Sequence, residues 1–289
     1  MYKKILITGA KGMLGTALCP LLEKYNILSI DKDNCDITDK SSLINTIGDF
    51  EFDAVVHCAA YTNVDKAEEE SQNAFKVNTQ GTANVACALK SKDCLFIYIS
   101  TDYVFDGKKE SLYTEKDATN PLGVYGKSKL EGENIASGIK KHLIIRTSWL
   151  FGPNGKNFVS TIAKAAKEKD ALSVVDDQTG SPTYTLDLAK AISDILDIHF
   201  KKTIEPGIYN ITNTGFCSWF ELADYIVKES GLKTTLKPIK SEQLTRPAKR
   251  PKNSMLSKEK FKNFLGYYLP TWQEAVSHYL KNYVLKGRG

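Results

Sequence analysis

The sequence lacks the signatures of a secreted, zinc-binding or membrane-embedded protein. Its six cysteines are scattered over 289 residues without a Cys-x-x-Cys pair or an adjacent histidine cluster, a distribution that favours reduced thiols over disulfides or zinc. No apolar run approaches the length of about eighteen residues that a membrane span needs, and the N-terminal apolar stretch is only of strand length before glycines interrupt it. We therefore expect a cytoplasmic protein with no membrane partner.

An excess of charge of one sign is also missing. The 39 lysines and arginines outnumber the 34 acidic residues by only five and are spread along the chain, so no nucleic-acid partner is expected. The one basic concentration, residues 246–252 (RPAKRPK), is compatible with a solvated loop, a nucleic-acid contact or a clamp for a phosphorylated small molecule. We favour the clamp, because two prolines stiffen the loop and arginine can grip a diphosphate with a bidentate fork.

The N-terminus, in contrast, has the pattern of a strand, a glycine turn and a helix. Residues 4–8 form a short apolar run that leads directly into residues 9–15 (GAKGMLG), and an apolar helical pattern follows. Glycines at such a turn let the backbone approach a pyrophosphate, whose charge the helix N-terminus favours. A second strand ends at Asp31, about twenty residues further on, where an acid can hydrogen-bond an adenosine ribose. The pattern predicts a dinucleotide site; the alternative is an ordinary tight turn with a surface aspartate.

The residues near this ribose give opposing signals about the cofactor. Asp31 favours NADH, because its carboxylate accepts hydrogen bonds from a free 2′-hydroxyl and repels a 2′-phosphate. Lys11 and Lys32 favour NADPH, because their ammonium groups can neutralise that phosphate. We expect NADPH to be used at least comparably, with NADH also possible.

Hydrophobic periodicity predicts an α/β fold. The first half alternates short apolar runs with helical patterns, which is the rhythm of a doubly wound parallel sheet of Rossmann-like type. The predicted strands are 4–8, 27–30, 54–59, 95–100 and 143–146, and the predicted helices are 72–90 and 128–137. His57 is expected to pack within its strand, with a catalytic role as the alternative. Residues 68–70 (EEE) are expected to be the exposed start of a helix.

After residue 149 the alternation changes, which indicates a second, smaller unit. The predicted elements there are helices at 157–167, 185–198, 218–230, 257–264 and 271–283, and strands at 172–175 and 207–212. We assign residues 1–148, with returning segments at about 172–213, to a dinucleotide-binding domain. A C-terminal α/β domain formed by residues 149–171 and 214–289 is expected to bind the substrate.

Two further segments carry reactive groups. Thr101 lies in the run Ser-Thr-Asp-Tyr-Val-Phe, and Tyr125 opens Tyr-Gly-Lys-Ser-Lys. Tyr125 and Lys129 share one helix face, so the ammonium can lie beneath the phenol or beneath its bound cofactor. Lowering a phenol pKa from about 10 towards about 7 takes roughly 4 kcal/mol of preferential stabilisation of the phenolate, which a nearby buried cation can supply. Tyr125 is then predicted to exchange protons near neutral pH.

The glycine turn, the threonine-containing run and the Tyr-x-x-x-Lys motif together resemble those of extended short-chain dehydrogenases/reductases. Four more segments resemble the dTDP-4-dehydrorhamnose reductase family more closely. They are residues 58–68 (CAAYTNVDKAE), 146–149 (RTSW), 177–183 (DQTGSPT) and 250–254 (RPKNS). The similarity extends from about residue 4 to about residue 283.

The resemblance implies reduction of the C4 ketone of a nucleotide sugar, dTDP-4-dehydro-β-L-rhamnose, to dTDP-L-rhamnose by NADPH or NADH. Tyr125 would donate a proton to the ketone oxygen, Lys129 would hold the nicotinamide ribose and lower the Tyr125 pKa, and Thr101 would hydrogen-bond the same oxygen. The substrate contacts implied are Thr101, Asp102 and Trp149 at the sugar, and Arg250 at the diphosphate. The cofactor contacts implied are Gly9, Lys11, Gly12, Met13, Gly15, Asp31, Asp36, Ile37, Ala60, Tyr61 and Thr62, with Tyr125 and Lys129.

Several alternatives remain open from the residues alone. Trp149 is also compatible with a place in the core at the domain junction, and Asp102 with capping a turn. Sugar-nucleotide epimerases and dehydratases use the same tyrosine and lysine, although dehydratases usually need an acid pair where Thr101 is followed by a single carboxylate. A non-catalytic regulatory subunit of the same fold is a third reading, against which the intact reactive groups argue. Some members of the family bind a metal between subunits through an acid soon after the glycine turn; residues 16–19 (TALC) contain none, so we expect no metal and a monomer or homodimer.

Overall fold

The computed structural model describes residues 2–48, 50–89 and 93–286. Its strands, in chain order, are β1 (Lys4–Thr8), β2 (Asn26–Ile30), β3 (Ala54–His57), β4 (Leu95–Thr101), β5 (His142–Thr147), β6 (Leu150–Phe151), β7 (Ala171–Val175), β8 (Thr179–Gly180), β9 (Thr183–Tyr184), β10 (Gly207–Asn210), β11 (Cys217–Ser218) and β12 (Thr235–Ile239).

The helices alternate with these strands. They are α1 (Met13–Leu18), α2 (Lys40–Ile47), α3 (Val64–Glu69), α4 (Ser71–Phe75), α5 (Thr82–Ala88), α6 (Val124–Ser137), α7 (Phe158–Glu168), α8 (Thr185–His199), α9 (Trp219–Glu229), α10 (Glu259–Leu265) and α11 (Trp272–Tyr279). Short 3₁₀ segments cover Cys19–Leu22, Asp102–Val104 and Ser241–Gln243, and π-helical segments cover Lys76–Gly81 and Leu280–Val284. Within the described ranges, no helix is long and apolar enough to cross a membrane.

Six parallel strands form the main sheet, in the order β10-β5-β4-β3-β1-β2. The chain moves outward from β1 to β2 and then crosses to β3 on the other side of β1, so the strand order reverses between β1 and β3. In doubly wound sheets, ligands bind at the carboxyl ends of the strands at this point of reversal. The predicted Rossmann-like fold class is confirmed, and the glycine turn after β1 lies at the edge where a ligand is expected.

The sheet separates two apolar layers, because successive strand residues point to opposite faces. Ile5 and Ile7 pack with Leu188 of α8 on one face, whereas Leu6 packs with Phe96 on the other. A separate core surrounds α7, α9 and α11. It includes Phe151, Val159, Val174, Leu222 and Trp272. The second unit therefore has apolar packing of its own beside the carboxyl edge of the main sheet.

The predicted strands and helices occur at the expected places, with differences at their ends. The strand predicted at 54–59 ends at His57, and the helix predicted at 128–137 begins at Val124. The helix predicted at 72–90 is interrupted by the π-helical segment Lys76–Gly81, and its predicted end, Lys90, lies outside the described residues. The six cysteines are all free thiols, as expected.

Two expectations are wrong. The segment at 172–175 does not return to the main sheet, because β7 pairs in parallel with β12 and places Val174 in the second core. The return begins instead with α8, and Phe261 of α10 also packs against the main sheet. Glu68 and Glu69 end a helix instead of starting one, because Asn63 accepts a hydrogen bond from the backbone N–H of Lys66 and starts α3 before the acidic run; only Glu70, the N-cap residue of α4, stands at a helix start.

Candidate active site

The turn after β1 has a backbone shape that only glycine fits. Gly9 has φ of +66°, and a Cβ atom there would lie 2.6 Å from the backbone nitrogen of Ala59. A Cβ atom on Gly15 would lie 2.3 Å from the Gly9 carbonyl oxygen. Gly12 is the N-cap of α1, and within the described chain no side chain caps that helix and no acid lies in its first turn. The turn therefore leaves backbone N–H groups available to an anion.

The acid at the end of β2 lies directly against this turn, as the sequence predicts. Asp31 accepts hydrogen bonds from the backbone N–H groups of Lys11 at 2.8 Å and Lys32 at 2.7 Å. The Lys11 ammonium lies 2.7 Å from the carboxylate of Asp33, and both side chains are mostly exposed. The sequence reasoning did not include Asp33, which supplies a counter-charge to Lys11 and raises its pKa.

The remaining predicted cofactor residues near the turn differ in their surroundings. The Asp36 carboxylate accepts a hydrogen bond from the backbone N–H of Thr38, which holds the pKa of the acid below its usual value. Ile37 is buried, and its carbonyl accepts a hydrogen bond from the Asn84 side chain at 2.9 Å. The Met13 side chain lies against the backbone of residues 154–156, where a Cβ atom on the middle glycine would be 2.2 Å from its Cγ. These contacts fix the outer part of the site.

The loop after β3, residues 60–62, is tied to the helix that carries the reactive tyrosine. Asn78 accepts a hydrogen bond from the Tyr61 backbone N–H at 2.7 Å, and its amide donates to the Tyr61 carbonyl at 3.1 Å. The same amide donates to the Ser128 hydroxyl at 2.9 Å, which in turn donates to the Tyr125 carbonyl at 2.8 Å. One buried side chain thus connects the predicted cofactor loop to α6.

His57 is a packed strand residue, as expected. It lies between the hydroxyls of Thr8 at 2.6 Å and Thr82 at 3.0 Å. The Thr82 hydroxyl donates to the Asn78 carbonyl and the Thr8 hydroxyl accepts from the Ala59 N–H, so the network assigns the proton to Nε2 of a neutral ring. Complete burial lowers the pKa of His57 to about 3, which keeps the imidazole uncharged.

Thr101, Asp102 and Tyr125 meet at the carboxyl end of β4. The Thr101 hydroxyl donates to the Asp102 carboxylate at 3.0 Å and accepts a hydrogen bond from the Tyr103 N–H, so Thr101 and not Asp102 caps the following turn. Burial raises the pKa of Asp102 to about 7, although the hydrogen bond from Thr101 favours its carboxylate form; the other carboxylate oxygen, Oδ2, has no hydrogen-bond partner among the described residues. Tyr125 is partly buried, and the burial of its phenol raises its pKa, whereas the nearby Thr101 hydroxyl lowers it.

Lys129 is buried one turn along from Tyr125, with its Nζ 4.1 Å from the ring centroid of Tyr98. Burial lowers the pKa of Lys129 to about 7. The expected lowering of the Tyr125 pKa is wrong for this structure, because burial raises the pKa of the phenol. Glu133, a further turn along, pairs with Arg146 at 2.6 Å and holds α6 against β5.

Trp149 follows β5, whose Thr147 is the register partner of Thr101. Its backbone has φ of +47°, a conformation that is strained for a bulky residue. The indole stacks on that of Trp219, with ring centroids 3.4 Å apart and planes 6° from parallel. A Cβ atom on Gly180 would come within 2.4 Å of the Trp149 ring. Trp149 packs at the margin of the second core but stays partly exposed, so it is available to a ligand.

The basic loop reaches the same site through Arg250. Its guanidinium donates to the Asp65 carboxylate at 2.8 Å and to the Ala248 carbonyl at 3.1 Å. It also lies near Tyr103, whose ring is 5.8 Å from that of Tyr125 in an edge-to-face arrangement. The loop predicted to be a clamp is therefore positioned beside the reactive tyrosine.

Several residues of the site were not found from the sequence. They are Asp33, Asp65, Glu68, Asn78, Tyr103 and Trp219. Asp65 and Glu68 stand inside a motif used for the family resemblance, which was a signal, whereas Asn78 and Trp219 lie in helical patterns that indicate nothing beyond helix. Across the described ranges, no group of three His, Cys, Asp or Glu side chains is arranged to hold a metal ion.

Known proteins and a protein family are similar to this chain over almost its whole length. Residues 3–285 match the family model described as RmlD substrate binding domain. The chain is 40% identical to the spore coat polysaccharide biosynthesis protein SpsK of Bacillus subtilis, over 96% of this chain and 97% of that protein. It is 39% identical to the dTDP-4-dehydrorhamnose reductase of Aggregatibacter actinomycetemcomitans, over 95% and 97% respectively. The crystal structure of dTDP-4-dehydrorhamnose reductase from Bacillus anthracis in complex with NADP superimposes with a TM-score of 0.91 at 38% identity, covering 97% of this chain and 99% of that one.

Proposed function

The chain belongs to the RmlD substrate binding domain family, and on that premise we propose that it is an NADPH-dependent dTDP-4-dehydrorhamnose reductase. It reduces the C4 ketone of dTDP-4-dehydro-β-L-rhamnose and forms dTDP-L-rhamnose. The observation that supports this function best is the proximity of Thr101 and Tyr125 at the carboxyl edge of the sheet, with the buried Lys129 one turn along the same helix and a glycine turn shaped for a dinucleotide.

The cradle around the glycine turn fits a dinucleotide. A Cβ atom would obstruct it at Gly9 and Gly15, and the exposed N–H groups at the start of α1 can bind a pyrophosphate. Asp31 and Lys11 lie where the adenosine ribose would be held, and Tyr61 is fixed on the other side of the turn. When bound, NADPH supplies the hydride that the carbonyl carbon receives.

The chain's own residues supply the proton and the orientation. Tyr125 gives its phenolic proton to the C4 oxygen as that oxygen gains negative charge, so a new O–H bond forms and the phenolate remains. The Thr101 hydroxyl lies beside the Tyr125 phenol and donates to Asp102, and it can donate to the C4 oxygen instead once a ketone is bound. Lys129 holds the nicotinamide ribose. Its lowered pKa lets it take and release a proton near neutral pH.

The second unit binds the nucleotide sugar. Asp102 and Trp149 face the sugar, and Arg250 contacts the diphosphate with the fork that Asp65 holds in place. The main sheet, with the return that begins at α8, binds the cofactor. The enzyme acts in the cytoplasm as a monomer or homodimer, with the nucleotide sugar as its partner and with neither nucleic acid nor membrane.

The direct test is turnover with purified protein. NADPH and the 4-keto sugar nucleotide are mixed, loss of absorbance at the nicotinamide band is followed, and the hexose formed is identified. We expect one NADPH consumed for each dTDP-L-rhamnose; conversion without net NADPH consumption would indicate an epimerase or dehydratase instead.

Tyr125→Phe should lower kcat by about a thousandfold or more, the usual size of general acid catalysis. The matched variant Tyr113→Phe, in a separate apolar cluster, should leave kcat unchanged.

A further inference from the structure

Trp149 is held by a second indole from a distant element. Trp219 is the first residue of α9, and its ring lies flat on that of Trp149 at 3.4 Å. The Trp219 indole N–H donates to the Gln178 side chain at 3.2 Å, and Phe158 packs against the same ring at 4.5 Å. Trp219 therefore has an aromatic partner and a hydrogen-bond acceptor that together fix the plane of its ring.

The acceptor is itself anchored to the basic loop. The Gln178 amide donates to the Ser241 hydroxyl at 2.8 Å, and the Ser241 hydroxyl donates to Asp177 at 2.6 Å. Ser241 opens the 3₁₀ segment that precedes the loop carrying Arg250. The sugar-facing indole and the arginine of the clamp are thus connected through Trp219, Gln178 and Ser241.

The helix that carries Trp219 does not need the stacked ring for its core. The inward face of α9 is formed by Leu222, Ala223, Ile226 and Val227, which are buried in the second core. A complete capping box of Ser218 and Glu221 fixes the first turn independently. Trp219 stays partly exposed beside Trp149, so its stacking is an additional feature and not a requirement of helix packing.

We propose that Trp219 is a positioning residue for the sugar nucleotide, which acts by holding Trp149 in its strained conformation at the substrate site. The inference rests on the proposed function, because it assumes that Trp149 contacts the sugar. The partly exposed Trp149 indole, held against Trp219, would present a fixed surface to a bound pyranose ring. Without Trp219, the Trp149 ring can turn about its side-chain torsions, and the sugar meets a mobile surface.

The test measures steady-state kinetics of Trp219→Leu, of Trp219→Phe and of Trp272→Phe. Trp272 is the third tryptophan of the chain and is buried in the second core, so its variant is a matched control for loss of an indole. We expect Trp219→Leu to raise KM for the sugar nucleotide about tenfold, with kcat within threefold and KM for NADPH unchanged. Trp219→Phe should restore most of the affinity, and Trp272→Phe should retain the wild-type KM.

Two further measurements separate positioning from a structural effect. In a Trp149→Phe background, Trp219→Leu should change KM by less than about twofold, because a residue that acts through another shows non-additive effects. Stacked indoles couple their transitions, so the far-ultraviolet circular dichroism of the wild type should contain an exciton couplet. Trp149→Phe and Trp219→Leu should abolish it, and Trp272→Phe should retain it.

The outcomes are distinguishable. If Trp219→Leu lowers the unfolding temperature but leaves KM for the sugar nucleotide unchanged, or if its effect on KM is fully additive with Trp149→Phe, the proposal is overturned. If Trp219→Leu does not fold, Gln178→Met removes only the indole acceptor and should raise the same KM about threefold; an unchanged KM would equally overturn it. A wild-type protein that does not reduce the keto sugar would refute the proposed function, while the couplet would still report the stack.

Discussion

A carboxylate from α3 caps the helix that carries the reactive tyrosine: Glu68 Oε1 accepts a hydrogen bond from the backbone N–H of Val124 at 2.8 Å. The N-cap residue of α6 is Gly123, which has no side chain to satisfy this N–H. A Cβ atom on Gly123 would lie 2.5 Å from the same carboxylate oxygen. Tyr125 is the second residue of the helix, so the contact sets the position of the phenol.

Glu68→Ala should therefore reduce catalysis without removing a reactive group. We expect kcat to fall about tenfold, which corresponds to about 1.4 kcal/mol of barrier, because the first turn of α6 loses its cap and Tyr125 its alignment. Glu68→Gln keeps an acceptor oxygen and should restore most of kcat. Glu69→Ala, which removes the exposed neighbouring acid, is the control. A Glu68→Ala enzyme with normal kcat would show that the cap does not position Tyr125.

The buried ammonium of Lys129 should make stability depend on pH. Its pKa is about 7 in the folded protein against 10.5 for the unperturbed group, so between these values the unfolded chain binds a proton that the folded chain does not. Stability should rise with pH across this window. Lys129→Met removes the buried charge and should raise the unfolding temperature by about 5 °C at pH 6, the shift that about 2 kcal/mol gives in a chain of this size.

Thermal unfolding at pH 6 and pH 9 checks this prediction. The gain from Lys129→Met should shrink at pH 9, where the wild-type lysine is already neutral, and turnover should be lost at both pH values. Lys127→Met, on the exposed face of the same helix, should show no pH-dependent gain. A Lys129→Met protein that is less stable than the wild type at pH 6 would contradict the inference that the buried ammonium destabilises the folded protein.

The comparison of sequence and structure separates features that follow from the sequence from features that depend on tertiary packing. The Tyr125 and Lys129 pair follows from helix periodicity, and Thr101 follows from the resemblance to a known family, so both could be predicted. The Lys129 pKa could not, because it is lowered mainly by burial, which depends on packing against residues of other elements such as Tyr98 of β4. The sequence pattern gives the members of the site, whereas their protonation depends on tertiary packing.

Contacts between residues far apart in the sequence could not be predicted for a similar reason. Glu68 caps a helix 56 residues further along the chain, and an acidic run by itself indicates only an exposed segment. Strand β12 contains Pro238 and Lys237, residues that disfavour a strand, yet it pairs with β7 at the margin of the second core. Its pairing moved β7 out of the main sheet and changed the expected division of the chain.

The choice between NADPH and NADH should depend on the charge of Asp31. Asp31→Asn keeps an oxygen to accept hydrogen bonds but removes the charge that repels a 2′-phosphate. We expect the ratio of kcat/KM for NADPH to that for NADH to rise about tenfold, as one repulsive charge of about 1.4 kcal/mol would give. Asp33→Asn frees Lys11 from an exposed ion pair and should raise the ratio only about twofold. Glu23→Ala is the control, and an unchanged ratio in Asp31→Asn would exclude Asp31 from cofactor selection.

Binding of the sugar nucleotide should depend more on the planar guanidinium fork of Arg250 than on its positive charge. Asp65 binds one edge of the guanidinium, which leaves the rest of the fork for the diphosphate, and lysine has no fork to share between two anions. Arg250→Lys should raise KM for the sugar nucleotide and Ki for dTDP about tenfold in parallel, with Ki for NADP⁺ unchanged, as expected for loss of one charge-assisted hydrogen bond. Lys237→Met, on the exposed side of β12, controls for general effects of altering a basic side chain in the second unit. If dTDP binds Arg250→Lys as tightly as the wild type, the diphosphate is held elsewhere and the basic loop is a solvated segment.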